Sequence, residues 1–350
     1  MNKWFFSLFF PLLVFAEPRV EIVAPFHNPM HQECERLSKT LEEKGFPATV
    51  VPTNLSHYWG LKKREGRLGK LQRKFSLDFP YQIEPDKDVA KIVFWNITHY
   101  FRQRHSLEKL PKEKMVLFQW EPPSLLRKMF SKKMEKYFAR IYTWNDDVID
   151  NKTYFKFYYP VLRPMIVDLP SFEEKKFCTL VAGNPPSKFY RKPGQLYSER
   201  LKAIEFFENA HEQGFELYGR SWDKEKHSSY RGIAGDKIQT IKNYRFVICY
   251  ENTGTSNGYV TEKIFDCFAA GVVPVYLGAP NIEKYVPKNC FIDRRDFASM
   301  EDLYALMKNM TKKQYDEYVS NIREYLTSEK AHLFSRENFD QIFYEAVIFP

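Results

Sequence analysis

The chain has 350 residues, enough for two α/β domains each with its own core, and its 44% hydrophobic content fits a globular protein. Its 53 Lys and Arg against 44 Asp and Glu leave a net charge of +9, which points to an anionic partner. No recognised nucleic-acid-binding motif accompanies that charge, which argues against nucleic acid and leaves a nucleotide or a membrane surface.

The N-terminus reads as an address. Lys3 precedes an apolar run from Trp4 to Phe15, and Val14-Phe15-Ala16 gives a small-residue exit before Glu17. Residues 1–16 are therefore expected to be a cleavable secretory signal or, as the alternative, a short membrane anchor. About 20 apolar residues are needed to span a bilayer, and this run is shorter. Secretory-pathway or membrane-associated localisation follows, with a Golgi-type lumen if the source is eukaryotic. Sequons begin at Asn54, Asn96, Asn151 and Asn309, and they matter only in a glycosylating lumen. The five cysteines are an odd number, and Cys249 in an apolar strand and Cys267 in a helix suggest few or no bridges.

After the leader, Val20 to Pro25 reads as a strand, followed by an amphipathic helix to about Lys44 and a strand at Ala48 to Val51. His27 and His31 have ligand-pair spacing, but Pro29 lies between them and no third ligand is near, so a solvated helix start is expected. The basic stretch Lys62 to Lys74 reads as a solvated surface. Further strands are expected at Lys91 to Trp95, Met115 to Trp120 and Arg140 to Trp144. Glu121 follows the second of these, and Pro122-Pro123 ends that strand at once. Its carboxylate then stands at the C-terminal edge of the sheet, where open α/β sheets bind ligands, and Glu121 is the candidate general base. Asp146-Asp147, just past the next strand, is expected to serve a turn or cap.

Pro160, Pro164 and Pro170 mark the expected boundary between domains 17–165 and 166–350. A second alternating series runs from Phe177 to Ala182, through a helix at about Gln195 to Asn209 and a strand at Phe215 to Tyr218, to a strand near Cys290 to Ile292. Helices from about Lys312 to Leu326 and Arg336 to Val347 close the chain. The alternation predicts α/β architecture, two successive Rossmann-like domains facing a cleft.

Residues 250–284 carry the most specific signal. A strand from Arg245 to Cys249 runs into a loop with Gly254 and Gly258, and a helix opens at Thr261-Glu262-Lys263 and ends at Gly271 before a second strand. A helix N-terminus suits phosphate, Lys263 adds positive charge there, and Glu262 can accept hydrogen bonds from sugar hydroxyls. A nucleotide sugar offers both groups. A dinucleotide-dependent dehydrogenase is disfavoured, because Val23-Ala24-Pro25-Phe26 stands where a Gly-x-Gly-x-x-Gly would follow the first strand.

Tyr250-Glu251-Asn252, Tyr259-Val260-Thr261-Glu262-Lys263 and Pro274-Val275-Tyr276-Leu277-Gly278, in that order, closely resemble the donor signature of the alpha-1,3-fucosyltransferase family. That resemblance implies a two-domain GT-B glycosyltransferase that moves L-fucose from GDP-fucose to a glycan hydroxyl with inversion, on N-acetylglucosamine or glucose; no required metal or cofactor is expected, because cationic side chains can do a metal's work there. It implies phosphate or fucose contacts from Asn252 and Tyr259 and a ribose contact from Glu262, with Tyr250 and Glu251 bracing the loop from beneath. Aligning Tyr197-Ser198-Glu199-Arg200-Leu201 points to Arg200 as a second cation for the diphosphate, with Arg191 as the alternative. An enzyme using another nucleotide sugar and a non-catalytic glycan-binding protein are the competing readings.

Overall fold

The computed structural model describes residues 19–25, 30–53, 89–97, 107–210 and 214–349. The leader, Asn54, the basic run Lys62 to Lys74 and His27 lie outside the described residues.

The first half of the chain forms a six-stranded sheet from β1 (Arg19–Pro25), β2 (Ala48–Thr53), β3 (Val89–Trp95), β4 (Met115–Gln119), β5 (Arg140–Thr143) and β6 (Tyr154–Lys156), in the order β2-β1-β3-β4-β5-β6. Every pairing is parallel. All five residues of β4 are buried, as expected where both faces of a parallel strand are covered. The second sheet contains β7 (Lys176–Val181), β8 (Phe215–Tyr218), β9 (Tyr244–Tyr250), β10 (Val273–Leu277) and β11 (Ile292–Asp293), ordered β11-β10-β9-β7-β8 and again parallel. Strand order reverses between β7 and β9, and it is at the C-terminal ends of such strands that open α/β sheets bind ligands.

Short elements account for most departures from expectation. The three-residue β6 and the helix Lys237–Ile241 are too brief to leave a periodic signal. The helix Met300–Asn309 begins at Ser299, whose side chain accepts from the Asp302 N–H.

The C-terminal helix Arg336–Ile348 does not pack on the sheet that precedes it. Phe339 and Phe343 enter the core of the first sheet beside Trp95, Phe118 and Phe157. The Phe339 ring lies 5.9 Å from Trp95 and 5.2 Å from Trp120. The last helix thus straps one half of the molecule to the other, and truncating a ring buried this way costs about 3–5 kcal/mol. All five cysteines are buried as free thiols, in keeping with packing rather than redox chemistry.

Candidate active site

The site is assembled where the loops after β4, β7 and β9 meet. The backbone N–H of Glu251, next after β9, donates to Leu277 O at 2.8 Å, which continues the β9–β10 ladder by one residue. That turns the Glu251 side chain inward, where it has no exposed surface. Its carboxylate accepts from the Thr261 N–H at 3.0 Å, from the Thr261 hydroxyl at 2.8 Å and from Lys263 Nζ at 2.8 Å. Thr261 occupies the position before the helix Glu262–Ala269, yet its hydroxyl serves Glu251 rather than capping the helix. The loop is therefore braced from beneath by Glu251.

Gly258 permits the close approach of the two halves. It has φ of +80°, and a Cβ there would lie 2.3 Å from Trp144 O in the first half. Its N–H donates to Asn281 Oδ1 at 2.8 Å. The next side chain, Tyr259, is 3% exposed, with its ring 4.7 Å from Trp144 and 6.1 Å from Tyr159. The ring is packed into the seam because the Gly258 turn presses the loop against the first sheet.

Lys263 uses two of its three N–H donors within the protein, on Glu251 and, at 3.1 Å, on the Thr261 hydroxyl. Burial pulls its pKa down, but Glu251 and Glu262 outweigh that and raise it, so it remains a cation. Arg200 is only 6% exposed. Its Nε and Nη2 donate to Tyr250 O at 3.2 and 2.7 Å, and Nη2 also reaches Asn252 Oδ1 at 2.9 Å. The loop backbone joins these parts, since Leu196 N–H donates to Asn252 O and Gly254 N–H to Gly194 O. Arg200 is thus built into the loop floor, and among the described residues its Nη1 group makes no hydrogen bond. Its charge acts on Lys263, so two cations share one side of the crevice. Arg191, in the 3-10 turn Ser187–Arg191, is exposed at the surface.

Two carboxylates face this pair with opposite tendencies. Glu262 is half exposed. Its partial burial pushes its pKa up, but Lys263 and Lys237 prevail and hold it at about 2. Glu121 projects from the end of β4 and is partly buried. Burial raises its pKa, Lys263 opposes that and Glu262 adds to it, with a net shift upward. The charges of Lys263 and Glu262 therefore act on Glu121 across the cleft, which brings together residues more than 130 positions apart. A carboxylate whose pKa is raised by burial is a stronger base than an ordinary glutamate, which suits it to accept a proton.

Asp146 lies in the turn Asp146–Val148, as expected, but its side chain is not the cap. Asn145 caps the turn, accepting from the Asp147 N–H, while Asp146 accepts from Lys156 Nζ at 2.7 Å, Asn281 Nδ2 at 2.7 Å and the Tyr285 hydroxyl at 2.6 Å. It ties the first half to the second. Among the described residues no group of three His, Cys, Asp or Glu side chains could hold a metal.

Sequence reasoning missed Lys237, which pairs with Asp266 at 2.8 Å and helps to keep Glu262 ionised. It also missed the Trp144 and Tyr159 contacts to the loop. Neither lies in a motif, and only strand pairing brings them near.

The family model described as Glycosyltransferase family 10 (fucosyltransferase) C-term matches residues 195–342. Among curated proteins, the chain is 31% identical over 153 residues to the mouse 4-galactosyl-N-acetylglucosaminide 3-alpha-L-fucosyltransferase 9, covering 43% of this chain and 36% of that one. It is 41% identical over 70 residues to an alpha-(1,4)-fucosyltransferase of Arabidopsis thaliana, covering 20% of this chain and 17% of that one. The matched part thus spans 17% to 36% of these relatives' own length. Among solved structures, an alpha1,3-fucosyltransferase with GDP-fucose superposes with a TM-score of 0.55 at 13% identity, over 98% of this chain and 94% of that one. A DNA-modifying beta-glucosyltransferase gives a TM-score of 0.52 at 13% identity, over 94% of this chain and 99% of that one. At these identities the structural likenesses establish the fold, two parallel-sheet α/β domains of the GT-B kind.

Proposed function

We propose, for a chain whose C-terminal domain belongs to the fucosyltransferases of glycosyltransferase family 10, that it transfers L-fucose from GDP-fucose to a glycan hydroxyl with inversion at the anomeric carbon. The acceptor sugar in this reading is N-acetylglucosamine or glucose and the linkage alpha-1,3. One observation supports it: the Glu121 carboxyl, at the end of a strand of the first sheet, lies within electrostatic reach of Lys263 and Glu262 from the second.

In the proposed reaction Glu121 takes the proton of the acceptor hydroxyl as that oxygen attacks the anomeric carbon of fucose from the face opposite the diphosphate. The bond from that carbon to the β-phosphate oxygen breaks, and GDP departs with the electron pair. The third N–H of Lys263 and the Nη1 group of Arg200 supply positive charge where the diphosphate becomes more negative. Asn252 and Glu262 offer acceptors to the donor's hydroxyl groups, and exposed Arg191 is the alternative phosphate contact. No metal or cofactor enters this scheme. A secretory or membrane-surface setting fits the leader sequence; among the described residues no helix is long and apolar enough to cross a membrane.

The test is product analysis after incubation with GDP-fucose, UDP-glucose or UDP-galactose and a panel of N-acetylglucosamine- and glucose-containing acceptors. Fucosylated product of inverted anomeric configuration is expected with GDP-fucose alone. Transfer from a UDP-sugar instead would replace this reading with another nucleotide-sugar transferase, and binding without transfer would indicate a glycan-binding protein.

A further inference from the structure

The geometry points to Asn96 as the positioning residue that aims Glu121 into the cleft. The inference rests on the reading of Glu121 as the acceptor base.

Asn96 opens a sequon, but its side chain is not available to a glycan, since the residue is only 6% exposed. It sits just past β3 with φ of 68°, a left-handed backbone that costs a non-glycine residue energy and that Asn tolerates better than most. Its own N–H donates to Phe118 O at 3.0 Å, continuing the β3–β4 ladder. The left-handed turn then swings its side chain across the end of β4. There Asn96 Oδ1 accepts from the Trp120 N–H at 2.8 Å and from the Glu121 N–H at 3.2 Å.

Those two N–H groups have lost their strand partner, because β4 ends at Gln119. Pro122 and Pro123, which follow, have no N–H to contribute to any continuation of the ladder. One amide oxygen therefore substitutes for the missing strand. The other side of the same backbone is held as well: Trp120 O accepts from Trp144 Nε1 at 3.0 Å and from the Tyr159 hydroxyl. With the backbone gripped from both sides, the direction in which Glu121 leaves it is fixed, and a displacement of about 1 Å at a reacting group can cost a hundredfold in rate. Trp144 and Tyr159 also pack on Tyr259 of the donor loop, so the base and the donor loop share one scaffold.

The charged and titratable groups around the Glu121 carboxyl are Lys263 and Glu262 from the second half, together with the phenols of Tyr159, Tyr197 and Tyr259. Asn96 adds no charge to this set. Replacing it by Asp would keep the accepting oxygen and introduce a negative charge beside the base.

The experiment compares Asn96→Gly, Asn96→Asp, Glu121→Gln and the double variant Asn96→Gly/Glu121→Gln, each checked for folding by thermal melt, with GDP-fucose titration and single-turnover transfer. Gly accepts the left-handed backbone and deletes the whole amide side chain with its accepting oxygen, so donor Kd should stay within about twofold while the transfer rate falls by roughly tenfold to a hundredfold. The double variant should be no slower than Glu121→Gln alone. Asn96→Asp should recover most of the rate at high pH, with the acidic limb of its pH profile moved upward. Wild-type transfer by folded Asn96→Gly, in a protein that Glu121→Gln cripples, overturns the positioning role and leaves the base intact. Normal transfer by Glu121→Gln overturns the base assignment and this inference with it. If Asn96→Gly fails to fold, an unmoved pH limb in Asn96→Asp overturns the inference.

Discussion

Lys263 Nζ lies 2.8 Å from the carboxylate of Glu251, a side chain with no exposed surface. The lysine that serves the donor site in the proposed reaction is therefore also the counter-ion of a buried acid. A lysine that merely faced the cleft could be removed without harm to the fold, but this one cannot, since an uncompensated buried charge costs about 3–5 kcal/mol. Lys263→Met should accordingly lose stability in urea unfolding as well as transfer activity. Adding Glu251→Gln should restore most of the stability and none of the activity. A Lys263→Met protein as stable as the parent would show that the pair carries no structural weight.

Glu121→Gln keeps the size of the side chain and loses the ability to take a proton. Donor affinity should change little while single-turnover transfer falls by roughly a hundredfold or more. If transfer persists, Asp146 offers no substitute base, because its carboxylate is already committed to Lys156, Asn281 and Tyr285.

The pH profile of kcat/KM should report the same group. Glu121 must be ionised to act, and burial moves its pKa up from 4.5, so activity should rise with pH along a limb above the ordinary glutamate range. Glu262 pushes that pKa up, so Glu262→Gln should move the limb toward acid. Glu262 itself, held at about 2, contributes stability that is present above about pH 4.5 and is lost as pH falls toward 2. An unchanged limb in Glu262→Gln would separate the two carboxylates electrostatically.

Asp146→Asn should loosen the seam between the halves. The change removes the counter-ion of Lys156, whose side chain is mostly buried, and should lower stability by about 2 kcal/mol. Saturating donor should recover part of the loss if the ligand bridges the same cleft. Thermal melts with and without GDP-fucose measure both effects, and equal melting of the two proteins would rule the seam contact unimportant.

Lys175 gives an independent alkaline signature away from the cleft. Its Nζ donates to Lys242 O at 2.7 Å and Gly271 O at 3.1 Å, satisfying carbonyls at two helix ends. Burial, aided by Lys242, lowers its pKa from 10.5 to about 8. Between those values the unfolded chain holds a proton that the folded protein has released, so stability should rise with pH across that window. Urea unfolding from pH 7.5 to 10.5 would reveal the slope, and Lys175→Met should flatten it.

The sequence by itself determined the alternation of strands and helices, the two parallel sheets and the position of the loop between β9 and the helix Glu262–Ala269. Strand and helix periodicities and ordered spacings are local properties, carried by neighbouring residues such as Met115–Gln119 and Tyr259–Lys263. What the loop residues do was decided only in three dimensions. Tyr259 is drawn into the seam because Gly258 lets the loop meet Trp144, and Arg200 is drawn into the loop floor by the carbonyl of Tyr250. Asn96, which as a sequon suggests a surface, holds the end of β4 because β3 and β4 are neighbours. The helix Arg336–Ile348 returns to the first sheet, since that sheet's aromatic face is where Phe339 and Phe343 are buried. Burial and charge pairing depend on partners far along the chain, and strand order, which no local pattern states, selects those partners.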